Sequence, residues 1–140
     1  MTLREIYEKF VNLSRSERAD WAKGGAGTVL EYLEKQGVND EDSFKYFLCL
    51  TALFVGADGV VDADEHRLFS EITGYTGTRE DLQEVLKAGF SAEFVANMDR
   101  IIDAWPEDVK AGACFYGLAL ISADGTISAR EQQVFERILA

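Results

Sequence analysis

One nine-residue phrase occurs twice in this chain, and it restricts the possible folds more than any other feature. Ala57-Asp58-Gly59-Val60-Val61-Asp62-Ala63-Asp64-Glu65 is echoed by Ala123-Asp124-Gly125-Thr126-Ile127-Ser128-Ala129-Arg130-Glu131, with Asp58 and Asp124 66 residues apart. The match continues through Leu68/Val134, Phe69/Phe135 and Ile72/Ile138. A fixed offset sustained over that length marks two copies of one supersecondary unit. Each copy reads as an apolar helix, an Asp-Gly turn and an amphipathic helix, so the units run over about 42–74 and 107–140.

The rest of the chain is also helical in pattern. Leu3, Ile6, Tyr7, Phe10 and Val11 fall on one helical face, and Thr2 with Glu5 forms a capping box ahead of them. Ser14 with Glu17 opens a second, polar helix containing Trp21. Gly24, Gly25 and Gly27 are expected to end it in a flexible joint, since no preceding strand or Lys-Ser/Thr pair makes them a phosphate cradle. A further helix ends at Gly37, which supplies a left-handed cap. Phe44, Phe47, Leu50, Leu53 and Phe54 lie on a helix that is apolar almost all round and belongs in the centre. Thr78 with Asp81 starts another helix, which Gly89 and Phe90 are expected to close in a Schellman motif, and Ser91 caps the next. Pro106 suits the start of a second central helix through Val109, Phe115, Tyr116 and Leu118. No stretch alternates with period two. The expectation is one all-α domain over residues 1–140, a bundle of seven to nine helices, with residues 1–27 forming amino-terminal helices and the glycine-rich joint.

Composition narrows the partners. A net charge of −11 repels phosphate, which argues against nucleic acid and anionic lipid and leaves metal cations and basic proteins. The longest apolar run, from Phe47 to Ala57, is well short of the ~20 residues that span a bilayer. The amino terminus lacks the pattern of a signal peptide, so the expected location is cytoplasmic. Cys49 and Cys114 lie within apolar helical stretches and read as packed free thiols. His66, the one histidine, reads as an exposed residue in the first turn of a helix; its repeat partner is Gln132, which makes zinc an unsuitable metal. Acid–base or nucleophilic catalysis needs a positioned partner for the reactive group, and one His beside one Glu supplies none, so no enzyme activity is expected.

Two mechanisms fit the repeated turn. In the first, Gly59 and Gly125 take positive φ angles, Val61 and Ile127 staple the loops to the core, and Asp62 with Glu65 and Ser128 with Glu131 cap the following helices. In the second, the two turns face each other and pool Asp58, Asp62, Asp64 and Glu65 with Asp124, Ser128 and Glu131 around a hard cation, Ca²⁺ or Mg²⁺. An ordinary EF-hand is excluded, because its first and third positions would be Phe54 and Gly56 in one copy and Leu120 and Ser122 in the other.

At these residues the chain resembles the TerB-like family of bacterial tellurite-resistance and stress-response modules, which is similar to the amino-terminal domain of DjlA-type co-chaperones. The resemblance rests on Ala57-Asp58-Gly59 to Glu65 and Ala123-Asp124-Gly125 to Glu131, each after an apolar helix, and covers roughly Thr28 to the end. It implies an all-α fold of two pseudo-repeated units, acidic residues binding a divalent cation (here Asp58, Asp62, Glu65, Asp124 and Glu131), and a sensing or interaction role through a protein partner. Serine at 128 leaves the second loop less charged than the first, and the glycine-rich amino-terminal quarter has no counterpart in the family pattern. Direct tellurite binding is not expected, since the oxyanion meets a net negative protein.

Overall fold

A computed structural model describes residues 2–55, 60–121 and 129–139. Among them are eight helices and no strand: α1 Leu3–Val11, α2 Arg15–Lys35, α3 Asp40–Val55, α4 Ala63–Thr73, α5 Arg79–Gly89, α6 Ala92–Asp103, α7 Glu107–Ile121 and α8 Ala129–Leu139. No helix among the described residues is long and apolar enough to cross a membrane.

The helix starts are set by local chemistry. Ser14 and Thr78 each make a full capping box, with Glu17 and Asp81 respectively, and Thr2 and Ser91 accept hydrogen bonds from the backbone N–H groups of Glu5 and Phe94. Each bond satisfies a donor that the first helical turn leaves open. At the other end of α2, Gly37 adopts φ +83°, while Val38 N–H donates to the Leu33 carbonyl and Gly37 N–H to that of Glu34. That pair of bonds is the Schellman arrangement. Gly74 ends α4 with φ +75°.

Two expectations about glycine fail here. α5 does not close in a Schellman motif: Phe90 is extended (φ −82°, ψ 126°) and only Gly37 and Gly74 have positive φ among the described residues. Ser91, the N-cap of α6, is also extended, so the chain leaves α5 as a short straight segment aimed at the next helix. Nor do Gly24, Gly25 and Gly27 form a joint, because α2 runs unbroken through all three. The reason lies in α7. A Cβ on Gly25 would stand 2.2 Å from the Gly112 carbonyl oxygen, and one on Gly112 would stand 2.8 Å from the Gly25 carbonyl oxygen. The two backbones touch where neither residue has a side chain, and α2 lies along α7 in the most extensive helix pairing among the described residues.

α3 and α7 are the central posts. One contiguous core draws on all eight helices, with Phe47, Leu50, Leu53, Phe54, Ala113, Cys114, Tyr116 and Leu118 of the posts at its middle. Around them the amphipathic helices span both posts: α4 packs on α7 and sets its Phe69 ring 6.2 Å from Phe47 of α3, while α8 packs on α7 and also on α3, where the Phe135 and Phe54 rings are 5.1 Å apart. Each amphipathic helix thus touches the posts of both units.

Candidate acidic site at the ends of the posts

The posts cross near their carboxyl ends. Thr51 of α3 and Tyr116 of α7 meet with their oxygens 2.8 Å apart, and the Phe47 and Phe54 rings flank Tyr116 at 4.6 and 6.4 Å. Gly117 is glycine because a Cβ there would come within 2.4 Å of the Phe54 ring. Thr51 is four residues from the end of α3 and Tyr116 five from the end of α7. At ~1.5 Å per residue and an axial separation of ~8–10 Å, Val55 and Ile121 lie within about 17 Å of each other at any crossing angle.

Of the seven candidate ligands, three are described in full. Asp62 is the N-cap of α4 and accepts the Glu65 N–H at 2.8 Å. Asp64 pairs with Arg67 at 3.0 Å along the same helix, both side chains being about half exposed. Glu65 is half-buried on the inner side, and its charge reaches Tyr116. Burial pushes the Tyr116 hydroxyl well above the ordinary range, the hydrogen bond with Thr51 opposes that shift, and the Glu65 carboxylate adds to it. Asp58, Asp124 and Ser128 lie outside the described residues, as do Gly59, Gly125 and Ile127, and the Glu131 side chain is likewise not described. Among the described residues, no three His, Cys, Asp or Glu side chains converge into a metal-sized cluster.

The turn is anchored more firmly than its sequence announces. Val61 is 2% exposed, and its N–H donates to the Gln83 side-chain oxygen of α5 at 2.9 Å. Gln83 gave no signal in the sequence, because its partner is 22 residues away and on another helix. The expectation for His66 is corrected: its ring is half-buried, with Nε2 2.9 Å from the Gly77 carbonyl oxygen and the ring edge-on to Tyr75. The connection from α4 to α5 thus reaches back to His66 in the first turn of α4. Cys49 and Cys114 are free thiols, as expected, and desolvation raises the pKa of both.

Comparison of the chain with protein-family models, with curated proteins and with solved structures yields no match.

Proposed function

We propose that this protein is a non-enzymatic, cytoplasmic TerB-like module that binds a divalent cation, Ca²⁺ before Mg²⁺, at its paired acidic turns and acts through a protein partner in a bacterial stress or tellurite-resistance setting. The observation that carries the reading is the contact of the posts at Thr51 and Tyr116, which keeps Val55 and Ile121, the last described residues before the two turns, within about 17 Å of each other and sets Glu65 of the first unit near the second post. Hard cations take six to eight oxygens, and one turn alone offers too few. Pooled, the two turns offer Asp58, Asp62, Glu65, Asp124 and Glu131. Calorimetric titration of chelator-treated protein with Ca²⁺ tests this: saturable heat is expected, and Asp58→Asn combined with Asp124→Asn abolishes it. No heat in the wild type sinks the reading.

A second reading is favoured by the bond from Glu65 N–H to Asp62. There the acidic turns are helix caps and nothing more, and the domain binds its partner without metal. Its signature is an identical melting temperature in Ca²⁺ and in chelator.

A further inference from the structure

A second feature lies at the far end of α4, about 15 Å from Asp62 along the helix axis. There α2, α3 and α4 enclose a groove of about 430 Å³. Its floor is apolar: Leu30, Phe44, Phe47 and Ile72, with Phe47 fully buried and Phe44 held by Tyr75 and Phe69 at 6.4 and 6.1 Å. Its rim is acidic, formed by Glu31, Glu34 and Asp40, all exposed. Glu31 is held by Lys35 at 3.1 Å, whereas Glu34 and Asp40 have no ion-pair partner among the described residues.

We propose that this groove receives a basic side chain, arginine or lysine, presented by a protein partner. An aliphatic stem matches the aromatic and aliphatic floor, and a terminal cation matches the carboxylates at the mouth. Long basic side chains bury their stems in this way while the charged head stays near water. A protein donor fits better than a free small amine because the groove opens to solvent on its outer side, and a small ligand normally buries most of its surface. The chain's charge of −11 also steers basic proteins toward it. The inference does not depend on the cation reading, since none of the candidate cation ligands lines the groove.

The test is a titration of ¹⁵N-labelled protein with the peptide acetyl-Ser-Leu-Gly-Arg-Gly-Leu-Ser-amide and with the same peptide carrying citrulline, an uncharged isostere, in place of arginine. The arginine peptide is expected to shift the amides of Gly27, Leu30, Phe44 and Ile72, to bind at least fivefold more tightly than the citrulline peptide, and to bind equally in Ca²⁺ and in chelator. Gly27 lines the groove and a Cβ there meets nothing within 4 Å, so Gly27→Leu is expected to keep the fold while weakening the peptide at least fivefold. Glu34→Gln with Asp40→Asn, both on the surface, is expected to weaken it about two- to fivefold, the range of exposed charge pairs. Equal binding of the two peptides, shifts centred elsewhere, or no loss in either variant overturns the proposal. Hexylammonium binding as tightly as the peptide also overturns it, by making this a small-amine site.

Discussion

Thr51 has one hydroxyl proton, and it is placed to donate to the Phe47 carbonyl at 2.9 Å one turn back. The Tyr116 hydroxyl must then be the donor in the 2.8 Å contact between the posts, with the Thr51 oxygen accepting. Removing either partner has unequal consequences. Thr51→Val strands a fully buried phenol and is expected to cost about 1–3 kcal/mol in urea denaturation. Tyr116→Phe leaves Thr51 its bond to Phe47 and is expected to cost less, with the double variant well short of additive. The same neighbourhood sets an alkaline limit. Burial raises the pKa of the Cys114 thiol and the Tyr116 hydroxyl above their ordinary values of 9.0 and 10.0, so on raising the pH the unfolded chain releases these protons first. Stability is therefore full below about pH 9 and falls as the pH climbs from the ordinary values toward the raised folded-state ones, where the contribution is lost. Urea midpoints measured between pH 8 and pH 11 are expected to decline, with a shallower slope in Cys114→Ala. An unchanged midpoint across that range contradicts the burial of these two groups.

At the level of helices, the paired glycines separate two roles that look alike in the sequence. Gly25 and Gly112 are where α2 and α7 touch, whereas a Cβ on Gly24 meets nothing within 4 Å. Gly24→Ala is expected to stabilise α2 by up to ~1 kcal/mol through helix propensity. Gly25→Ala gains the same propensity but drives a methyl into the Gly112 backbone, with an expected net loss of about 1–3 kcal/mol. Chemical denaturation of the two variants side by side measures the difference, and equal behaviour rules out the backbone contact. Helix starts were legible because a cap is a bond between residues three apart: Ser14 with Glu17, Thr78 with Asp81, and Asp62 with the Glu65 N–H all appear where the sequence places them. The glycine-rich stretch was not legible. Glycine is equally the residue of a joint and of a close helix contact, and only the opposing surface distinguishes them.

For the whole molecule, the two units interlock, α4 and α8 each resting on both posts. The two turns join the posts to these helices, so a cation held by both would tie the units together. Under that reading Ca²⁺ at about a hundredfold above its dissociation constant stabilises the protein by ~2.7 kcal/mol. Thermal melting in Ca²⁺ and in chelator is expected to differ by several degrees in the wild type and to coincide in Asp58→Asn with Asp124→Asn. Coincident wild-type curves leave the turns as caps alone.

The residue order by itself determined the helical class, the duplicated unit, most helix starts and the burial of the two posts, because those depend on contacts within a turn or on which faces are apolar. Only the tertiary structure decided that α2 passes unbroken beneath α7, that His66 and Val61 are fastened by Gly77 and Gln83, and that the two posts meet at Thr51 and Tyr116. Those outcomes depend on atoms meeting across long stretches of sequence, where the local pattern is the same whichever surfaces come together.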